Sequence, residues 1–261
     1  TLNGDATIQV NATSPVAIRL VAEGAPASAA IDFLNDASTS VRHVELARAG
    51  DGSFQAAVPG MNLADGSYRA RVTLTDSNGN QQATTLGQAP LVIDSTPPNL
   101  SVKSLDFPDG QSAAKQGDVL VLVVRAQDSG TVTAVAMQTP TGPRQLTKAG
   151  QGLYQVEVTA GPGNGARQIV ITAQDAAGQT ASLPVTYTLD NTPPRILSAS
   201  ARYPSDMPSA AVGETVRLQA LVADEGRRVE RAYFETTLLN EDTPLVLALA
   251  KPATHLYQAA V

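Results

Sequence analysis

A pentapeptide written twice at a fixed distance constrains this chain more than any other feature. Asp94-Ser95-Thr96-Pro97-Pro98 returns as Asp190-Asn191-Thr192-Pro193-Pro194, 96 residues later. Self-similarity at such a period marks repeated structural units, so every other feature is read within that frame. Each copy follows a strand-like run, Pro90 to Ile93 and Val185 to Leu189. Consecutive prolines fix φ, exclude helix and push the preceding residue to extended backbone, so each copy reads as a short, stiff connector. Other landmarks keep the same beat. Gln127-Asp128-Ser129-Gly130 is answered by Ala223-Asp224-Glu225-Gly226, and Ser112-Ala113-Ala114 by Ser209-Ala210-Ala211. One strand is written three times, as Phe54-Gln55-Ala56-Ala57-Val58, Tyr154-Gln155-Val156-Glu157-Val158 and Tyr257-Gln258-Ala259-Ala260-Val261.

Within a repeat the period is two. Apolar and polar residues alternate through Tyr68-Arg69-Ala70-Arg71-Val72-Thr73-Leu74-Thr75, the mark of a strand with one buried face. In the second repeat strands are expected near 99–105, 118–127, 132–138, 143–148, 152–159, 166–174 and 180–189, between clusters of Gly, Pro, Asp and Asn. Seven short strands in about 95 residues specify a two-sheet antiparallel sandwich. Aromatics at 4% with no Trp argue against one large core, and 20 Gly with 17 Pro argue for many turns. The expected organisation is all-β: one sandwich over 1–94, a second over 95–190, and a third over 191–261. The third holds counterparts of five strands, so the native chain is expected to continue beyond Val261.

The run Leu63-Ala64-Asp65-Gly66-Ser67-Tyr68-Arg69-Ala70 resembles the Asp-x-Gly-x-Tyr-x-Cys signature of immunoglobulin domains, with Ala70 at the cysteine position. With the Asp-x-Thr-Pro-Pro junctions and the Asp-x-x-Gly hairpins, the whole chain resembles tandem bacterial Ig-like domains of large surface proteins and adhesins. The resemblance implies a tyrosine corner in which the Tyr68 hydroxyl bonds back to nearby backbone. The second repeat departs from it, since Gly165-Ala166-Arg167 replaces Gly-x-Tyr.

Composition removes several chemistries. With 18 basic and 24 acidic residues the net charge is −6, so no basic surface is available for nucleic acid. The absence of cysteine removes disulfides, thiolate catalysis and thiolate metal sites, and suits an exported bacterial protein. No apolar run approaches the roughly 20 residues of a membrane helix. His43 and His255 lie in different repeats, so no Ser, His and Asp set is expected, and His43 should share a water-facing strand surface with Glu45. Gly161-Pro162-Gly163-Asn164-Gly165 reads as a turn rather than a phosphate loop, and Glu241-Asp242 as a solvated loop. Asn78-Gly79 reads as a type I′ hairpin turn. Phe107-Pro108 and Tyr203-Pro204 occupy equivalent places, either packed under a loop or exposed as sugar platforms.

The carboxylates that recur are the candidates for a site. In an Ig-like topology the B–C and F–G loops of one domain meet the linker arriving from the domain before it. That gathers Asp94, Asp128 and Asp175 at the first junction, and at the second Asp190, Asp224 and an acid expected in the part of the third domain beyond Val261. Converging carboxylates repel unless a hard, oxygen-loving cation such as calcium relieves them. The same residues also suit Asx turns, in which each Asp caps its own loop. No catalytic residue is expected. The expected role is a structural spacer or stalk segment of an exported cell-surface or adhesin-like protein, extracellular or periplasmic, with neighbouring domains of the same chain as its contacts. Two other roles fit the same residues: accessory modules of a secreted hydrolase, and a module binding another surface protein or a glycan.

Overall fold

The computed structural model describes residues 8–86, 91–204, 209–211, 213–224, 226–234, 245–251 and 256–260. It is a chain of strands. The first repeat contributes β1 (Ile8–Val10), β2 (Val16–Leu20), β3 (Ser28–Leu34), β4 (Ser40–Arg48), β5 (Phe54–Val58), β6 (Gly66–Thr75), β7 (Gln81–Thr85) and β8 (Leu91–Ile93). The second contributes β9 (Asn99–Asp106), β10 (Val119–Gln127), β11 (Val132–Thr139), β12 (Gly142–Gln145), β13 (Thr147–Gly150), β14 (Leu153–Thr159), β15 (Gly165–Asp175) and β16 (Thr180–Leu189). The third contributes β17 (Arg195–Arg202), β18 (Arg217–Ala223), β19 (Ala232–Phe234), β20 (Leu245–Lys251) and β21 (Leu256–Ala260). Among the described residues a 3-10 turn spans Pro108–Gly110, and no helix is long and apolar enough to cross a membrane.

In the second repeat two four-stranded sheets form, with orders β13-β14-β10-β9 and β12-β11-β15-β16. These are the two layers of an Ig-like sandwich, the first carrying strands A, B, E and D and the second C, F and G with one added edge strand. In the first repeat β8, β6, β3 and β4 form one layer, with β7 also on β6, while β2 pairs with β5 in the other. β4 continues past its own layer, so that Ala47 and Arg48 pair with Gln55 and Phe54. β1 runs parallel to β8, Ile8 opposite Leu91 and Val10 opposite Ile93. The third repeat orders its strands β17-β18-β21-β20-β19. The chain is therefore a tandem of Ig-like all-β modules.

The expected strand at 143–148 is corrected to two. The run breaks at Leu146, buried with 8% exposure, which sends β12 and β13 to different sheets. The hairpin at Asn78-Gly79 is also corrected. Gly79 is left-handed at φ 85, but Asn78 is absent from the positive-φ residues, so the turn is not type I′. The Asp76 carboxylate sets it instead, with Oδ1 accepting from Asn78 N and Asn80 N.

Burial follows the alternation. Along β10 Leu120, Leu122, Val124 and Ala126 are sealed, while the residues between them are half-buried, as suits a central strand with partial cover on its outer side. The thrice-written strand places Phe54 and Tyr257 in the core, while Tyr154 is half-buried. The first repeat packs Ile18, Ile31, Phe33, Phe54, Met61 and Ile93 into one cluster. β10 and β18 are each flanked by a strand, β9 and β17; β2 has no partner on its outer edge among the described residues. An apolar cleft of about 250 Å³ opens there against Ile8, Phe33 and Leu91.

The chain packs as two compact units. One comprises Thr1–Lys103, Val124–Gln155 and Val170–Pro184; the other comprises Ser104–Val123, Val156–Ile169 and Val185–Val261. The first linker pentapeptide thus lies inside the first unit and the second inside the second.

The tyrosine corner is present. Tyr68 Oη donates to Ala64 O at 2.8 Å, with Tyr68 and Ala70 both buried. In the second repeat Arg167 takes over this task, donating to Pro162 O and Asn164 O. Removing the hydroxyl in Tyr68→Phe leaves Ala64 O without its partner and should cost about 1 kcal/mol, read as a lower urea midpoint for unfolding of the first module.

The outer face of the first module holds a charged row. His43 is half-exposed, with Nδ1 2.9 Å from Asp32 Oδ1 and Nε2 3.0 Å from Glu45 Oε1. Arg71 and Ser40 also donate to Asp32. Glu45 first and Asp32 second raise the His43 pKa above 6.5, and His43 is the main cause that holds Asp32 at about 2. A raised histidine pKa stabilises the fold below the unfolded value and loses that stabilisation as pH rises through the folded one. Relative to His43→Gln, the protein should therefore lose under about 1 kcal/mol between pH 6 and pH 8.5, as befits a half-exposed pair. Parallel melting-temperature profiles for the two proteins would show no divergence if the row contributes nothing.

Candidate metal centre

Three elements deliver one carboxylate each to the start of the second repeat. Asp94 follows β8, its N–H bonded to Val10 O at 2.9 Å; Asp128 follows β10; Asp175 ends β15. Asp94 and Asp175 are buried, at 3% and 2% exposure, and Asp128 is half-buried. One oxygen from each lies within 4.8 Å of the others, a geometry able to hold a metal ion. All three belong to the first compact unit. The three acids expected at this junction are thus brought together.

The oxygens of these aspartates divide into those that cap turns and those that do not. Asp175 Oδ1 caps the hairpin that follows it, accepting from Gln179 N at 2.8 Å, and Asp128 Oδ1 accepts from Ser129 N at 2.8 Å. Asp175 Oδ2 and Asp128 Oδ2 are buried and accept no hydrogen bond. The first repeat supplies an internal control. Asp76, the counterpart of Asp175, caps its turn with Oδ1 and uses Oδ2 for Asn80 Nδ2 at 2.8 Å, and it is exposed. Turn-capping alone accounts for Asp76 and leaves half of Asp175 unexplained.

Burial pushes the Asp128 pKa above its ordinary value, and the charges of Asp94 and Asp175 push the same way, against the Ser129 N–H. This is the behaviour of a desolvated carboxylate beside two others. A divalent cation accepting these oxygens removes the repulsion and supplies the missing partners.

At the second junction two acids meet. Asp190 is 7% exposed, its Oδ1 accepts from Thr192 N at 2.9 Å, and its Oδ2 is buried without a partner. Asp224 Oδ1 accepts from Gly226 N and Arg227 N. Burial raises the Asp190 pKa, but the Thr192 N–H and further hydrogen bonds outweigh it and leave the group below its ordinary value. Among the described residues, the grouping of three metal-ligating side chains occurs at the first junction.

Other residues of the junctions carried no sequence signal of this role. Gln9 Nε2 donates to Asp94 Oδ2 at 2.8 Å. Asp65, in the loop before β6, accepts from Ser95 N and Thr96 Oγ1, both at 2.9 Å, and these bonds, Thr96 first, hold its carboxyl below the usual range. At the second junction Asn164 Oδ1 takes the corresponding place, accepting from Asn191 N at 2.6 Å. One signal was legible: the recurrent glycines. A Cβ on Gly130 would stand 2.6 Å from Asp94 Oδ2, and one on Gly226 would stand 2.3 Å from Asp190 Oδ2. Neither glycine has positive φ, so close approach of the linker carboxylate, not backbone freedom, is what requires them.

The remaining candidates are separate from this centre. Gly161 to Gly165 is a bend with Gly163 and Gly165 left-handed, as expected of a turn. Phe107 packs against a core cluster of the second repeat, whereas Tyr203 is 37% exposed, so the two equivalent aromatics part company. His255 and Glu241-Asp242 lie outside the described residues.

No protein-family model matches the chain, and no curated protein matches it. Solved structures similar to it include the fibronectin(III)-like modules of Clostridium thermocellum CbhA, 18% identical over 72% of this chain and 90% of that one, with a TM-score of 0.39. A structure solved in work on the host cell surface retention of a 1.5-MDa bacterial ice-binding adhesin is 16% identical over 97% of this chain and 82% of that structure's chain, with a TM-score of 0.44. A tetra-tandem repeat from the extending region of a large adhesion protein is 18% identical over 97% of this chain, with a TM-score of 0.29. This chain spans 64% of that structure's length.

Gly130→Ala tests the packing of the first junction. The added methyl collides with Gln9 Nε2 and Asp94 Oδ2, and the loss should be about 1–3 kcal/mol. Gly24→Ala, where a Cβ meets nothing but φ is 81, separates steric from backbone effects. Heat denaturation should show Gly130→Ala sensitive to the accompanying change Gln9→Ala, which makes room, and Gly24→Ala insensitive to it.

Proposed function

We propose that the chain is a non-catalytic spacer segment of an exported bacterial surface protein, and that calcium stiffens its first joint. The observation that carries this reading is the pair of buried, unpartnered oxygens, Asp128 Oδ2 and Asp175 Oδ2, beside the buried linker carboxylate Asp94. A carboxylate that belongs to the linker is the right group for this task. Once a cation ties it to two loops of the following module, the linker is held by both modules, because Asp65 of the preceding module holds Ser95 and Thr96.

The ligand set is all oxygen, which matches a hard cation, and the open carboxylate geometry suits calcium better than the tight octahedron of magnesium. Three carboxylates give a site in the range of extracellular modules, with a dissociation constant on the order of 0.1–1 mM. Extracellular calcium fills such a site without any demand for high affinity. A spacer needs length and resistance to bending, and each module contributes roughly 30 Å along strands of about ten residues. Negative net charge keeps parallel copies apart.

Isothermal titration with calcium, and melting in calcium against chelator, test this reading. At 10 mM calcium the fold should gain about 2 kcal/mol by mass action. Without cation Asp128 has a raised pKa, so the folded state binds protons more readily than the unfolded one. The chelated protein should accordingly become more stable as pH falls from above that pKa toward 3.8. Asp128→Asn should remove both the calcium response and this acid gain, and should raise the melting temperature in chelator by roughly 2–5 °C. A wild-type melt indifferent to calcium sinks the proposal.

A further inference from the structure

The two junctions repeat the same acids but are tied differently. After β18, Arg227 reaches back to the second repeat, its Nη1 2.6 Å from Asp118 Oδ2 and 2.8 Å from Ala113 O. The pair is nearly dry, with side-chain exposures of 14% for Arg227 and 10% for Asp118. Neighbouring bonds run the same way. Arg228 N donates to Gln111 Oε1 at 2.9 Å, Ser112 Oγ to Gly226 O at 3.3 Å, and Gln116 N to the linker's Asn191 Oδ1 at 2.6 Å. All of these residues belong to the second compact unit.

At the first junction the position 96 residues before Arg227 is Thr131, which carries no charge. Its carbonyl accepts from Ala176 N, so that residue is tied to the hairpin of its own module. Ala113 likewise stands where the first repeat has Gln9, the residue that covers Asp94. The cationic side chain is therefore present at the second junction, where the first has an uncharged threonine.

We infer that the second joint is a cation-independent lock, held by the Arg227–Asp118 pair, so that the chain joins a calcium-set hinge to a permanently fixed one. The contrast rests on the calcium reading of the first joint; the lock does not. Both partners are largely desolvated, and losing either leaves the other buried without a counter-charge, the case in which an ion pair matters most. A guanidinium suits the position because it spans a carboxylate and a backbone carbonyl at once and never deprotonates.

The chain has no cysteine, so introduced cysteines are its only spin-label sites. Gln55→Cys with Thr147→Cys spans the first joint, and Thr159→Cys with Ser200→Cys spans the second; all four positions are exposed. Electron–electron distance measurements on the whole chain then read each joint separately. In chelator the first distance distribution should broaden at least twofold while the second stays unchanged. Arg227→Gln and Asp118→Asn should each broaden the second at least twofold, with or without calcium, and the double variant no further than either single one. Far-ultraviolet circular dichroism confirms that each variant keeps its strands, and Arg227→Lys should recover part of the narrow distribution. The lock is overturned if chelator broadens the second distribution in the wild type, or if both single variants leave it narrow. A first distribution that ignores chelator overturns the calcium hinge and leaves the lock standing.

Discussion

The removal of a linker carboxylate from water is the constraint on which both joints depend. Asp94 and Asp190 leave the last strand of one module and are buried against the loops of the next, at 3% and 7% exposure. An ionised group in such a place is tolerated only where hydrogen bonds or opposite charge replace its hydration. The backbone supplies part of that replacement, through the N–H groups of Thr96 and Thr192. At the first junction two further carboxylates converge on Asp94, the arrangement that carries the proposed cation site. At the second, Arg227 reaches back to Asp118 of the second repeat rather than to Asp190, whose Oδ2 is buried without a partner.

This division suits modules with small cores. With aromatics at 4%, the cores rest mainly on aliphatic side chains such as Ile31, Leu120 and Ile171, joined by a few rings, Phe33, Phe54 and Tyr257 among them. The contacts named at the two junctions are hydrogen bonds and an ion pair. Polar joints also depend on geometry, because carboxylate, amide and guanidinium groups reward one angle and distance whereas apolar contacts slide. Gly130 and Gly226 belong to that geometry, since any Cβ there would hold the carboxylate off its loop.

Much of this was legible in the sequence, for identifiable reasons. The spacing of 96 residues pointed to repeated units, and strict alternation in β6 exposed a strand with one buried face. Asp94, Asp128 and Asp175 could be placed together because strand order alone sends the linker and two loops to one end of a sandwich. The divided strand at Leu146 was hidden, since β12 and β13 are contiguous in sequence and differ only in the sheet each one joins. Type I′ geometry at Asn78-Gly79 was the wrong inference from a good dipeptide, because the Asp76 side chain chooses the turn before the glycine does. The junction contacts of Gln9, Asp65 and the Arg227–Asp118 pair carry no local signal. Their partners lie 85, 30 and 109 residues away, and only the folded loops reveal them.

The oxygen-by-oxygen use of the aspartates carries the argument furthest. An Asp in a tight turn needs one oxygen to cap it, and Asp76 shows that where water is near the second oxygen finds a neighbour at the same turn. Asp175 makes the same cap yet buries its second oxygen with no partner. The difference between these counterparts is not in the hairpin. It lies in what faces the hairpin, which for Asp175 is the linker carboxylate Asp94 together with Asp128. The turn-forming Asp175 thus stands in a three-acid grouping because the linker brings Asp94 to it. Joint formation is in this sense a property of two modules in series, and a module taken alone would hold only part of the site.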